Sequence, residues 1–112
     1  MSALLYAKRG QCYLKINKLN RCVRDCSFAL KINPDSAPAY KFRGRANAKL
    51  GKWLEAANDL RNACKIDFDE QTDEWLKEVT PNVRRSSFTI ILGYHKIHDK
   101  VKDSVSKIGR FI

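Results

Sequence analysis

The chain has little of what catalytic or secreted proteins are usually built from. Glycine numbers five in 112 residues, so loops that cradle phosphates have few residues to form from, and neither a zinc-protease His-Glu motif nor a serine nucleophile elbow occurs. No apolar run approaches the roughly 20 residues of a membrane-spanning helix. Lys8 interrupts the N-terminal apolar segment too early for a signal peptide. Cys12, Cys22, Cys26 and Cys64 show no framework spacing, which predicts reduced thiols and no disulfide. The length fills one domain and excludes a large multidomain enzyme; a cytoplasmic, non-catalytic protein is expected, with no cofactor and no membrane span.

Acidic residues are scarce too, and unevenly so. Residues 1–66 hold 14 basic and 4 acidic side chains, residues 67–80 hold 1 and 6, and residues 81–112 hold 7 and 2; together they give the net charge of +10. The first block selects cation, and its distribution bears on partner choice.

Residues 3–36 laid over 37–70 match at a period of 34. The overlay pairs Tyr6 with Tyr40, Arg9 with Arg43, Gly10 with Gly44, Asp25 with Asp59, Ala29 with Ala63 and Ile32 with Ile66. Each unit reads as two amphipathic helices. Leu5, Tyr6, Tyr13 and Ile16 are expected on one face of the first, and Cys22, Val23, Cys26, Ala29 and Leu30 on one face of the second. Asn17 and Gly51 stand where a residue tolerant of positive φ ends the first helix, and Ser36 is a candidate N-cap with Pro38 in the turn it opens. Small residues recur where helices would cross: Gly10 and Gly44, Cys22 and Ala56, Ala29 and Ala63.

The period and this pattern of an aromatic, a glycine, a tyrosine, two alanines and a proline resemble the tetratricopeptide repeat. The residues carrying that resemblance are Tyr6, Gly10, Tyr13, Cys22, Ala29 and Pro34, with Tyr40, Gly44, Ala56 and Ala63 in the second unit. Asn47 and Phe68 depart from it, standing where Tyr13 and Pro34 stand in the first unit. The implied fold is all-α: repeat hairpins at 3–36 and 37–70, a capping helix at 72–80 with Asp73 and Glu74 in its first turn and Thr80-Pro81 at its end, and a divergent basic amphipathic tail at 83–112.

In this repeat family the first helix of each unit lines a concave groove. The first helices, 3–16 and 37–50, carry seven cations and no acid, whereas the second helices mix both signs. The resemblance therefore implies a cationic groove of Lys8, Lys15, Lys41, Arg45 and Lys49 facing an acidic partner, with Arg9 and Arg43 nearer the helix packing. The positions that clamp a C-terminal carboxylate in some family members hold Lys8, Pro38 and Phe42 here, so no such clamp is expected.

Local segments, among them Tyr40-Lys41-Phe42-Arg43-Gly44-Arg45-Ala46 and Trp75-Leu76-Lys77-Glu78-Val79-Thr80-Pro81, resemble the Hip family of co-chaperones over about residues 3–82. That resemblance implies binding to the nucleotide-binding domain of the 70-kDa heat-shock chaperone and stabilisation of its ADP state. It also implies a homodimer only in the full-length member, this sequence reading as a shortened or variant form. The runner-up is a nucleic-acid-binding basic helical protein, supported only by net charge and by Tyr6, Tyr40 and Phe42 among the cations.

Other signals are weaker. Cys22 and Cys26 lie one helical turn apart but are better explained as core packing than as a metal or redox pair. His95, His98 and Asp99 make a poor metal site, and Arg84-Arg85-Ser86-Ser87 is a short basophilic kinase pattern of a kind common by chance. The tail is expected to pack on an exposed repeat face rather than on an anionic membrane.

Overall fold

A computed structural model describes residues 1–83. They form five helices: α1 (Ala3–Lys15), α2 (Leu19–Ile32), α3 (Ala37–Lys49), α4 (Trp53–Ile66) and α5 (70–83). The tail motifs from Arg84 onward lie outside the described residues.

Local chemistry accounts for the boundaries. Ser2 Oγ accepts from the Leu5 amide at 3.2 Å, and Ser36 Oγ accepts from the Ala39 amide at 3.4 Å, so α1 and α3 open on equivalent hydroxyl caps. Asn17 and Gly51 take φ values of 61° and 80°. That left-handed step turns the next amide back on the helix, Lys18 N–H to Tyr13 O at 2.8 Å and Lys52 N–H to Asn47 O at 2.9 Å. One turn chemistry thus closes both first helices.

The helices pair as α1 with α2 and α3 with α4; α3 also packs on both α1 and α2, whereas α2 and α4 do not meet. Two layers result, with α1 and α3 side by side in one. The joint between units is a fully buried cluster of Ala7, Cys22, Cys26, Ala29, Ala39 and Ala46. Its side chains are small because the helix axes run close together, and interiors pack to near-crystalline density. A second cluster of Ala48, Ala56, Leu60 and Val79, flanked by Trp53, Trp75, Leu76 and Val83, seats α5 on the second unit.

The glycines set the spacing within each pair. A Cβ on Gly10 would lie 2.7 Å from Cys26 Sγ, and one on Gly44 would lie 2.9 Å from two carbons of Leu60 and 3.2 Å from Asp59 Cβ. A side chain at Gly10 would require Cys26 to shift, and one at Gly44 would require Leu60 and Asp59 to give way.

Two expectations change. Leu5 and Ile16 are exposed, at 54% and 62%, and the buried face of α1 is carried by Ala7 and Gly10. The second-unit equivalent of Leu5, Ala39, is wholly buried against the first unit, whereas no described residue covers Leu5 in the same way. The fifth helix also exceeds its expected span, starting at 70 and continuing through Pro81. Asp69 provides the earlier start: its carboxylate accepts from the Gln71 amide and the Thr72 hydroxyl. Pro81 forfeits one backbone hydrogen bond, but Leu76, Val79 and Val83 fall on one apolar face and hold the helix onto the core.

Gly44→Val is expected to lower unfolding free energy by about 1–3 kcal/mol through overpacking against Leu60. Urea denaturation followed by circular dichroism checks this, and Leu60→Ala in the same chain should recover part of the loss. A neutral Gly44→Val would contradict the spacing argument.

Candidate docking wall

The conserved spacing of arginine and aspartate in both units produces the same fork twice. Arg9 donates from Nε and Nη2 to Asp25 at 2.6 and 3.0 Å, and Arg43 donates from Nε and Nη2 to Asp59, both at 2.9 Å. Asp25 is wholly buried and Asp59 nearly so, so each carboxylate depends on its guanidinium for charge compensation. Hydrogen bonding to Asp59 outweighs desolvation and raises the Arg43 pKa above its ordinary value. Arg43 further donates to Ser27 Oγ at 3.3 Å, tying α3 to α2, and Asn47 Nδ2 donates to Asp59 at 3.3 Å. Asn47, the residue replacing the second-unit tyrosine, is thereby part of this network. Arg9 and Arg43 also lie over the Tyr6 and Tyr40 rings, so both are committed to structure.

Lys41 and Arg45, one turn apart on α3, meet α5. Lys41 forms an ion pair with Asp69, and Arg45 Nη1 donates to Glu78 at 3.1 Å. Trp75 stands between them, its ring 5.4 Å from Lys41 Nζ and 4.9 Å from Arg45 Cζ. The Lys41 hydrogen bond, then that from Thr72, hold the Asp69 carboxyl below the usual carboxylate range. The acidic block at 67–80 thus sits against the cationic helix it follows in sequence.

Lys8, Lys15 and Lys49 are exposed and make no ion pair among the described residues. Lys8 and Lys15 are seven residues apart on the outer face of α1, and Lys49 occupies on α3 the place of Lys15 on α1. Since α1 packs on α3 and α3 on α5, these three helices form one layer. Among the described residues, two clefts lie where α3 meets α5. One, of about 350 Å³, is lined by Pro38, Lys41, Phe42, Phe68 and Asp69 among others; the second, of about 360 Å³, includes Arg45, Lys49, Trp53, Glu78 and Asn82. Pro38 and Phe42 give the first cleft apolar side chains.

No family model matches the chain. The second TPR domain of human RPAP3, solved in complex with the HSP70 peptide SGPTIEEVD, is 31% identical with a TM-score of 0.66, covering 70% of this chain and 67% of that one. The chain belongs to the tetratricopeptide-repeat family. The TPR domain of Arabidopsis OM64 gives a TM-score of 0.69 at 26% identity, over 71% of this chain and 67% of that chain. Hsc70-interacting proteins 1 and 2 of Drosophila melanogaster are each 62% identical to this chain over 84 residues, 75% of its length. The match spans only 22% of each of those proteins.

Within this repeat fold, the positions read from the family pattern divide by role. Gly10, Gly44, Cys22, Ala29, Ala56 and Ala63 are buried at helix crossings; Tyr6, Tyr13 and Tyr40 are half-buried under arginines; Pro34 is exposed in the turn between units. Cys22 and Cys26 are fully buried, and both the neighbouring thiol and burial push the Cys26 thiol upward, which disfavours thiolate chemistry. Asp69, Trp75 and Glu78 were not singled out by sequence as wall residues. Their signal was the charge of −5 over 67–80, adjacent to a block of opposite sign.

Asp59→Ala strands half-buried Arg43 and buried Asn47 and should cost about 2–3 kcal/mol in chemical denaturation, water access to Arg43 limiting the loss. Asp69 gives a pH signature. Its folded pKa is depressed, so its contribution is present above about pH 4 and is lost as pH falls through the folded value. Asp69→Asn is therefore expected to flatten the acid limb of the stability profile, measured by thermal unfolding from pH 7 down to pH 2.

Proposed function

We propose that this repeat segment is a non-catalytic docking module of co-chaperone type, which binds the nucleotide-binding domain of the 70-kDa heat-shock chaperone through the α1–α3–α5 layer and stabilises its ADP state. The observation that carries the reading is the charge of α1 and α3. These two helices hold seven lysines and arginines and no acid, in a chain 62% identical over 84 residues to proteins named for interaction with Hsc70. An acidic protein surface is the complementary partner, and charge complementarity of this kind raises association rate and fixes register. Pro38 and Phe42, standing where a clamp would place cations, favour a folded domain over a C-terminal tail as the ligand.

A protein partner also explains the aromatics better than a nucleic acid does. Tyr6, Tyr40 and Phe42 are half-buried, with Arg9, Arg43 and Lys41 respectively beside their rings, so they offer no free platform for stacking bases. Cytoplasmic residence accompanies this reading.

Reversing Lys8, Lys15 and Lys49 to Glu together should weaken binding to the isolated, ADP-loaded nucleotide-binding domain by about tenfold or more, with little change in helical content. The matched reversal of Arg24, Arg61 and Lys65, exposed on α2 and α4, should leave affinity within about twofold. Calorimetric titration gives the affinities, and the rate of labelled ADP release with and without the chain gives the effect on the nucleotide. Equal losses from both sets, or oligonucleotide binding with none to the chaperone domain, would reject the proposal.

A further inference from the structure

The unequal way in which α5 holds the two α3 cations has a functional reading that rests on the docking role proposed above. Asp69 is fixed: besides Lys41 it accepts from the Thr72 hydroxyl at 3.1 Å and the Gln71 amide at 3.4 Å, and it opens α5. Glu78 is not. Its side chain is 63% exposed, and its contact with Arg45 is a single hydrogen bond from Nη1. A guanidinium has five N–H donors and pairs best with a carboxylate through two of them at once, so this pairing leaves Arg45 under-used. Meanwhile Trp75, packed in the second core cluster, supports the guanidinium at 4.9 Å independently of Glu78. Arg45 also shares its cleft with exposed Lys49 and with Asn82.

We infer that Glu78 is a built-in substitute for a partner carboxylate: it occupies Arg45 in the unbound chain and yields it to an acidic side chain of the docking protein. The exchange replaces a one-point, solvent-exposed pair with a two-point pair on a guanidinium already oriented by Trp75. An exposed pair contributes little, so its loss costs little. Until exchange occurs, Glu78 shields the cation and weakens non-specific association with acidic polymers. Lys8, Lys15 and Lys49 remain unshielded and attract the partner, while Arg45 engages only once the partner has reached the cleft.

The test uses the full 112-residue chain and hexaglutamate peptide as probe, by calorimetric titration at low ionic strength, with circular dichroism to verify the fold. Glu78→Gln is expected to bind the peptide about two- to fivefold more tightly than the parent chain. Glu55→Gln, an equal charge change on the exposed face of α4, should give a smaller gain, and Glu78→Gln added to Arg45→Gln should give none. The inference is overturned if the Glu78→Gln gain does not exceed that of Glu55→Gln, if the gain persists without Arg45, or if the peptide binds neither form. Repeating the series with the chaperone's nucleotide-binding domain separates the two claims. Failure of that domain to bind, with the peptide cycle intact, removes the docking proposal alone; binding of the domain with no Glu78→Gln gain removes this inference alone.

Discussion

The structure depends on how closely the two helices of each unit approach at Gly10 and Gly44. With no Cβ at these positions, α1 comes within reach of Cys26 and α3 within reach of Leu60, and this brings the arginine one residue earlier onto a buried aspartate of the facing helix. Spacing and charge pairing are therefore one constraint. A wider hairpin would strand Asp25 and Asp59 without their guanidinium partners, at the high cost of a buried unpaired charge. A closer one would collide with Cys26 and Leu60. The alanine-rich joint between units follows from the same geometry, since only small side chains fit between helix axes held this near.

Electrostatics on the outer side of the same layer follow a different rule. The forks use Arg9 and Arg43 internally, α5 and the Asp69 that caps it supply carboxylates to Arg45 and Lys41, and Lys8, Lys15 and Lys49 have no ion partner among the described residues. Seven cations on two helices thus become three unpaired cations, two covered ones and two structural ones. A net charge counted along the sequence overstates what a partner meets, because neutralisation depends on which helix lies alongside. On the docking role proposed above, this division would also separate folding from recognition: mutations at the forks are expected to act on stability, and mutations at the exposed lysines on association.

Much of this was legible from the residues. The 34-residue period, the small residues at crossings, the hydroxyl cap at Ser36 and the left-handed turns at Asn17 and Gly51 are local or periodic features, and local chemistry is written into adjacent residues. Leu5 and Ile16 were harder to place, since apolar spacing identifies a face but not whether another element covers it. The extent of α5 was hidden for a related reason: proline disfavours a helix locally, and only the contacts of Leu76, Val79 and Val83 with the second unit offset that penalty.

The sequence by itself determined the repeat, the five helical segments in outline, the turns and the sign of the charge on the first helices, because each is set by neighbours within a few residues or by the period. Tertiary structure alone decided which cations are spent on partners inside the chain. Lys41 reaches Asp69 across 28 positions and Arg45 reaches Glu78 across 33, with Trp75 between them. Pairing over such separations depends on how α5 lies across α3, and that placement comes from the packing of Trp75, Leu76, Val79 and Val83 onto the second unit.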